Sequence, residues 1–186
     1  ITNKDNNLVG GSFKISNKLS NDSNIFVLIS RGYKTSGINQ SPNFLNNQIY
    51  KSEFANNIEI GINYRNDTFN LKLLAFYLDR IDPQLRIFTQ FNVSDPTSFD
   101  YATFNAKKGT NYGLELTSKV SKDYISLSTS IGLLNTFISN FNFLSNQYGN
   151  RELSHSPKVT LNNILNINLS KIKNGLNANF EHTYKS

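Results

Sequence analysis

The sequence predicts an all-β protein in which antiparallel strands run up and down to form part of a transmembrane β-barrel. Three observations indicate this fold class. About eight segments alternate apolar and polar side chains, as a strand with two different faces requires. Short polar turns and long connections join these segments in strict alternation. The longest unbroken apolar run is residues 73–78, whereas a membrane-spanning helix needs about 18 residues.

A hairpin over residues 112–133 shows the strand pattern most clearly. Its first strand alternates apolar side chains such as Leu116 with polar ones such as Thr117, and its second strand alternates apolar side chains with serines. The first strand, residues 112–120, exceeds the roughly 5–6 residues of an ordinary strand. It matches instead the roughly 9–11 tilted residues that cross a bilayer.

The same alternation extends along the chain. It predicts strands over residues 12–19, 24–33, 53–64, 68–78, 112–120, 124–133, 159–169 and 176–184. The second of these is apolar on both faces in its first half, so the pattern leaves its register open. Polar composition predicts turns at residues 20–23, 65–67, 121–123 and 170–174. The stretch from Asp79 to Thr110 is predicted to be irregular.

The connections distinguish two architectures. Alternate connections of an up-and-down sheet lie at the same end, so the long ones, residues 35–52, 80–109 and 138–156, are predicted to share one end. Outer-membrane barrels have short turns at one end and long loops at the other. Structureless loops longer than about 12–15 residues are uncommon inside compact domains. A soluble β-sandwich has the same strand alternation but no reason for one-sided loops.

Composition agrees with a barrel and excludes some functions. The mean hydropathy of −0.41 is modest, as expected where only alternate residues face lipid. The net charge of +6 is dispersed without a Lys/Arg-rich run, so no nucleic-acid partner is predicted. The absence of cysteine excludes disulfides, thiolate metal sites and a cysteine nucleophile.

A succession of short segments adds a family resemblance. The segments are SRGYK at 30–34, YKSE at 50–53, IEIG at 58–61, LLAFYLD at 73–79, YGLEL at 112–116, GLLNT at 132–136, HSPKVT at 155–160 and NGL at 174–176. In this order they resemble the late part of the barrel of TonB-dependent outer-membrane receptors, from about residue 10 to the end. The resemblance implies that residues 1–186 are one partial barrel domain that lacks the family's N-terminal plug, its TonB-contacting box and its last strands. We expect the eight strands to form an open sheet with two free edges.

The resemblance also implies a function. It predicts a receptor in the bacterial outer membrane that imports a scarce large solute with energy supplied through TonB. A ferric siderophore is the expected solute, with cobalamin, haem or oligosaccharides as alternatives. The expected partners are TonB, that solute, and outer-membrane lipid with lipopolysaccharide; no catalytic residue, cofactor or resident metal is expected. Two other functions stay open: a small self-contained outer-membrane barrel with a structural or adhesive role, and a soluble extracellular β-sandwich that binds a ligand.

The barrel interpretation assigns the two strand faces. Side chains predicted to face lipid are Ile58, Ile60, Ile62, Leu114, Leu116, Ile125 and Leu127. Those predicted to face the lumen are Glu59, Asn63, Glu115, Thr117, Asn177 and Glu181. Tyrosines near strand ends are predicted to form the aromatic girdles at the membrane interfaces: Tyr33, Tyr64, Tyr77, Tyr112 and Tyr124. The alternative is that tyrosine is simply a common strand residue.

Candidate ligand contacts lie near the outer strand ends and in the long loops. They are Arg31, Tyr33, Lys34, Arg80, Arg86 and Tyr101. The cations among them, Arg31, Lys34, Arg80 and Arg86, would form charge-assisted bonds to an anionic ferric chelate. The alternative is a solvated loop charge or contact with lipopolysaccharide. The longest connection also contains Phe88, Phe91, Phe99, Tyr101 and Phe104. These aromatic residues indicate either a ligand surface or a continuation of the strands above the membrane. His155 and His182 have no suitably spaced carboxylate, so no metal site is predicted.

Overall fold

The computed structural model describes residues 8–47, 49–92, 94–143 and 146–186. Most of these residues lie in β-strands. Within those residues lies a short 3-10 helix at Pro42–Asn47, and no helix there is long and apolar enough to cross a bilayer. The strands are β1 (Gly11–Lys18), β2 (Ser23–Lys34), β3 (Gly37–Ile38), β4 (Ile49–Tyr50), β5 (Glu53–Arg65), β6 (Phe69–Ile81), β7 (Gln84–Gln90), β8 (Phe99–Asn105), β9 (Lys108–Lys122), β10 (Ile125–Ile138), β11 (Phe141–Phe143), β12 (Asn146–Tyr148), β13 (Val159–Asn168) and β14 (Asn177–Lys185).

Eight of these strands build one antiparallel wall. Their order in the sheet is β1-β2-β5-β6-β9-β10-β13-β14, so each strand pairs with the next long strand along the chain. This arrangement confirms the predicted up-and-down fold. β1 and β14 are the two edges of the wall, and the sheet is therefore open, as expected for part of a barrel.

The connections confirm the predicted asymmetry, and the structure corrects their detail. Short turns join β1 to β2, β5 to β6, β9 to β10 and β13 to β14, and the long connections leave the opposite end. The β9–β10 turn is Asp123–Tyr124 rather than residues 121–123, because Lys122 already pairs with Ile125. Asp123 adopts a φ of +50°, which suits a two-residue hairpin turn.

The prediction of an irregular stretch from Asp79 to Thr110 was wrong. β6 continues to Ile81, β9 begins at Lys108, and β7 and β8 form a hairpin between them. This hairpin has apolar side chains on both of its faces, such as Ile87 on one and Phe88 on the other. A strand is recognised in a sequence by the alternation of apolar and polar side chains. Because both faces of this hairpin are apolar, its sequence does not show that alternation.

The register of the wall places the apolar side chains of neighbouring strands side by side. Leu116 of β9 lies opposite Leu73 of β6 and Ile131 of β10. The apolar face continues across the sheet and includes exposed residues such as Ile60 and Leu127. A sheet face of this extent, which the described residues leave exposed, matches the lipid-facing band of an outer-membrane barrel.

The opposite face of the wall is mainly polar but holds one apolar cluster. Phe26 of β2 and Leu74 of β6 are only 6 % and 7 % exposed. The ambiguous register of β2 is thereby resolved, since Val27 pairs with Ile60 on the apolar face and Phe26 points to the other side. Phe26 lies over Gly61, and a Cβ atom there would come within 2.5 Å of the Phe26 ring.

Substitution of Gly113 by alanine is expected to impair packing of the wall. A Cβ atom at this position would collide with the Leu133 carbonyl oxygen and approach the Phe76 ring to 3.0 Å. Overpacking of this kind costs about 1–3 kcal/mol. We expect a lower yield of folded protein in outer-membrane fractions. Gly32→Ala is the matched control because nothing lies within 4 Å of its added Cβ; equal yields of the two variants would contradict the prediction.

Candidate functional site

The three long connections pack together at one end of the wall. We call residues 35–52, 82–107 and 139–158 the loop cluster. Its buried core is apolar and largely aromatic, and it comprises Phe44, Ala102, Ala106, Phe141 and Phe143 together with Ile138 at the end of β10. Phe44 is 1 % exposed, and its ring meets Phe91 edge-on at 5.0 Å between centroids. Aromatic pairs of this kind stabilise a core by about 0.5–1.5 kcal/mol beyond area burial, so the loops form a fixed layer.

Two asparagine side chains fasten the first loop to the β7–β8 hairpin. The Asn39 amide donates to the Thr103 carbonyl oxygen and accepts from the Thr103 N–H, both at 2.8 Å. Asn105 makes the equivalent pair of bonds to Lys51, at 2.7 and 3.1 Å. Each amide thus replaces a peptide group in a strand ladder. The Thr103 backbone of β8 and the Lys51 backbone of the first loop are satisfied in this way without a further strand.

A buried carboxylate connects the loop cluster to the wall. Glu53 stands at the loop end of β5 with its side chain 5 % exposed. It accepts from Arg80 Nε at 2.7 Å, from the Gln84 N–H at 2.9 Å and from Lys34 Nζ at 3.4 Å. The Gln84 side chain adds bonds to the Thr35 and Lys51 carbonyl oxygens. Because one carboxylate bonds β2, β6 and the start of β7, it fixes the base of the hairpin.

The surroundings of Glu53 keep its carboxylate ionised. Burial alone would raise the pKa of Glu53. The hydrogen bonds from Arg80 and from the Gln84 N–H, together with the positive charges of Arg80 and Lys34, outweigh that effect and lower the pKa below its ordinary value. Hydrogen bonds and cations that favour the charged form act in this direction.

The outer face of the β7–β8 hairpin carries an exposed aromatic surface. We call Arg86, Phe88, Phe99 and Tyr101 the aromatic ledge. The Phe88 ring stacks on Phe99 at 4.5 Å and meets Tyr101 at a tilt at 4.6 Å, and the Arg86 guanidinium lies 4.3 Å from the Tyr101 centroid. Phe88 and Tyr101 are each 51 % exposed. Phe88, Phe99 and Tyr101 therefore lie on strands and form a surface, whereas Phe91 and Phe104 pack toward the loop core. That this surface binds a ligand stays a prediction.

The structure divides the six predicted ligand contacts into three groups. Arg86 and Tyr101 are together on the ledge. Lys34 and Arg80 are together on Glu53, and the Arg80 side chain is only 12 % exposed. The third group is on the apolar side of β2, where Arg31 lies 4.5 Å from the Phe54 centroid and Tyr33 pairs with Phe54. These positions leave Arg86 and Tyr101 as the accessible pair in the loops.

The predicted girdle tyrosines lie at both ends of the apolar face. Tyr77 and Tyr112 stack at 6.5 Å toward the loop end, where Tyr33 also lies, and Tyr64 packs on Phe69 at 5.9 Å toward the turn end. Tyr124 is in the β9–β10 turn. From Phe69 to Tyr77 the strand rises about 26 Å at about 3.3 Å per residue. A tilt of about 40° reduces this height to about 20 Å, close to the apolar band of about 25 Å in such barrels. The girdle assignment stays a prediction.

The side chains assigned to lipid and to lumen separate cleanly onto the two faces. Ile58, Ile60 and Ile62 lie level with Ile29, Val27 and Ile25 of β2. Glu59 and Glu115 line a cavity of about 370 Å³ on the other face together with Leu74 and Phe76. Asn63, Thr117, Asn177 and Glu181 share that polar side, where the Asn162 amide donates to Glu181 at 3.2 Å. Which face meets lipid and which meets the lumen stays a prediction.

The residues that sequence reasoning missed are those that fix the loops. Glu53 was part of a predicted strand start, and Asn39, Gln84 and Asn105 were part of polar connections. The apolar alternation of Phe141 and Phe143 was the one local signal of a strand in the third loop. Across the described ranges, no group of three His, Cys, Asp or Glu side chains is placed to hold a metal ion.

This geometry defines a class of protein. The open, up-and-down wall of long strands has an apolar face that the described residues leave exposed, with aromatic residues at both ends of that face. Short turns lie at one end of the wall and a packed loop layer at the other. These features together define a segment of a transmembrane β-barrel.

Comparison with known proteins identifies the family. The family model for the TonB dependent receptor-like β-barrel matches residues 3–185. The chain belongs to this family and is a protein of the bacterial outer membrane. The family consists of transport receptors and not of enzymes. No curated protein sequence matches the chain.

Solved structures share the fold at low sequence identity. The ferric yersiniabactin uptake receptor FyuA from Yersinia pestis matches with a TM-score of 0.65 and 19 % identity over 85 % of this chain and 22 % of its own. The siderophore receptor PirA from Pseudomonas aeruginosa matches with a TM-score of 0.64 and 22 % identity, over 95 % of this chain and 30 % of its own. The copper transporter OprC matches with a TM-score of 0.62 and 14 % identity, over 85 % of this chain and 24 % of its own. The chain therefore spans less than a third of the length of each receptor.

Proposed function

We propose that this chain is part of the barrel of an outer-membrane receptor that imports a ferric siderophore with energy transmitted by TonB. The match of the family model over residues 3–185 carries the proposal. We further propose that residues 1–186 are one partial barrel domain, and that a plug domain and further strands complete the receptor. TonB would act through the plug and would not contact this segment.

Within that receptor, the described residues would supply wall and ligand capture. The apolar face would lie against acyl chains, and polar side chains such as Glu59 and Glu115 would face the lumen and the plug. The loop cluster would stand outside the cell. Its buried aromatic core and its bonds to Glu53 hold it in one arrangement. A preformed surface loses less conformational entropy when a ligand binds, so such loops suit the capture of a scarce solute.

Two of the six candidate contacts remain in this proposal as direct ligand contacts, namely Arg86 and Tyr101. Lys34 and Arg80 would act indirectly by holding Glu53, because their charges are already engaged there. Arg31 and Tyr33 would meet the lipid headgroups, since they lie on the apolar side of β2 above Ile29. Lipopolysaccharide phosphates would be the anions nearest to Arg31.

Deletion of the receptor is expected to reduce uptake of its ferric siderophore to background, and deletion of TonB should do the same. The physical reason is that passage of so large a solute through a plugged barrel requires work on the plug. Accumulation of radioactive iron from a panel of ferric siderophores in iron-limited cells measures this. The control is uptake of a substrate of another TonB-dependent receptor. That uptake should persist when this receptor is deleted and should be lost when TonB is deleted.

Three outcomes would contradict the proposed function. Iron uptake through this receptor that persists without TonB would remove the energy source from the proposal. Accumulation of copper and not of any ferric chelate would indicate the cargo named for OprC. Adhesion or ligand binding by the purified chain in buffer without detergent would favour the small barrel or the soluble sandwich.

A further inference from the structure

The β7–β8 hairpin is apolar on both faces, and only one face is used by the fold. Leu85, Ile87, Ala102 and Phe104 point into the loop core. The other face carries the aromatic ledge, whose rings are 44–51 % exposed. Exposed apolar clusters on a fixed surface mark interaction sites when polar residues surround them. The hairpin therefore presents a surface that the described residues do not cover.

The ledge also carries an uncompensated positive charge. No carboxylate in the described part of the chain is within ion-pair distance of Arg86. The acidic residues of the same hairpin are engaged elsewhere. Asp100 accepts from the Asn43 amide at 3.3 Å and from the Tyr101 N–H at 2.8 Å, and Asp95 accepts from Thr97. The ledge is thus a row of three rings that ends in a free guanidinium.

We propose that the ledge selects ferric chelates whose iron is bound by anionic aromatic groups, such as catecholates or phenolates. This inference rests on the proposed function and specifies its substrate class. Flat aromatic groups pack against the exposed parts of the Phe88, Phe99 and Tyr101 rings, edge-on or in offset geometry. The Arg86 guanidinium, already stacked on Tyr101, presents its remaining N–H donors to aryl oxygens that carry negative charge.

Other classes of chelate match the ledge less well. A ferric trihydroxamate is neutral and has no aromatic ring. It would therefore leave both the Arg86 guanidinium and the aromatic rings of the ledge without a complementary group. An aliphatic carboxylate chelate carries charge but no ring, so it would use Arg86 alone. The combination of rings and cation is what distinguishes the aromatic class from these two.

The test measures binding of three ferric chelates to the whole receptor in outer-membrane vesicles by equilibrium dialysis with radioactive iron. The probes are a ferric tris-catecholate, ferric citrate and a neutral ferric trihydroxamate. We expect the tris-catecholate to bind tightest. Arg86→Gln should weaken it about tenfold, the size of a cation–π or charge-assisted contact. Phe88→Leu, which keeps an apolar side chain, should weaken it by a similar factor.

Arg31→Gln is the matched control. Arg31 also lies over an aromatic ring, at 4.5 Å from the Phe54 centroid, but on the apolar side of the wall. Its substitution should leave affinity for the tris-catecholate unchanged. An equal loss of affinity for the tris-catecholate in Arg31→Gln and Arg86→Gln, or no loss of affinity in Arg86→Gln, would overturn the assignment.

The uptake assay separates this inference from the function on which it rests. TonB-dependent uptake of the trihydroxamate alone would overturn the role of the ledge and leave the proposed function standing. Failure to take up any of the three ferric chelates would overturn both. TonB-dependent uptake of the tris-catecholate that falls in Arg86→Gln, and not in Arg31→Gln, would support both.

Discussion

Replacement of Leu116 with arginine is expected to prevent assembly of the receptor in the outer membrane. Leu116 lies near the middle of the apolar face, four residues from Tyr112 along β9, and its cross-strand neighbours are Leu73 and Ile131. An arginine that faces lipid at mid-bilayer costs about 2–4 kcal/mol. At 1.4 kcal/mol per tenfold, this is a roughly 30- to 700-fold shift against the assembled state. Loss of the heat-modifiable band of the folded barrel on gels measures the effect.

Thr117→Arg is the control for this variant because the same charge is placed on the opposite face of the same strand. Thr117 is exposed and lies opposite Lys72 of β6 and Ser130 of β10. A second cation beside Lys72 adds repulsion of less than about 1 kcal/mol. We expect near-normal assembly of this variant. Equal tolerance of both substitutions would show that residue 116 does not face lipid.

The wall was predictable from sequence because its two faces meet different surroundings. Each one-residue step changes the side chain from apolar to polar, as with Leu116 and Thr117, so that strand direction, length and register follow from a period of two. The first half of β2 does not show this pattern, and neither does the apolar run 73–78 of β6. β2 nevertheless pairs with β1 and β5 through the same ladder. Its register became clear only from the position of Phe26 over Gly61, a contact across the ladder that the sequence of β2 alone does not reveal.

The loop cluster was not predictable in the same way because its contacts join distant segments through individual side chains. Arg80 resembled a free loop cation, and nothing near it in sequence indicates that Glu53, 27 residues earlier, takes its charge. Asn39 and Thr103 are separated by 64 residues. The aromatic residues of β7 and β8 were correctly noticed, but their division into core and ledge depends on which face the first and third loops cover.

Glu53→Gln is expected to loosen the loop cluster from the wall. The substitution removes the negative charge from a buried site and leaves the Arg80 guanidinium, 12 % exposed, without its counter-charge. Removal of one partner from a buried ion pair costs about 3–5 kcal/mol. We expect about 3 kcal/mol here, because glutamine still accepts hydrogen bonds from Arg80 and Gln84. Where cleavage follows local opening, protease cleavage within residues 82–107 on intact cells should rise roughly 100-fold.

Lys34→Gln provides the comparison, since Lys34 is the exposed partner of the same carboxylate. Its side chain is 62 % exposed and 3.4 Å from Glu53, and exposed ion pairs contribute only about 0–1 kcal/mol. Protease resistance of this variant should therefore stay close to that of the wild type. Equal resistance of Glu53→Gln and Lys34→Gln would show that the buried charge is not what fixes the hairpin.

The pH dependence of loop opening tests the same carboxylate without relying on a mutation alone. The folded-state pKa of Glu53 is lowered from its ordinary 4.5, so its contribution to stability is fully present above about pH 4.5. It is lost as the pH falls through the lowered value, when the carboxylate accepts a proton. Wild-type loops should therefore become protease-sensitive only in acid, whereas Glu53→Gln should be sensitive at neutral pH with little further change. An equal further rise in cleavage of both proteins on acidification would assign the transition to other groups.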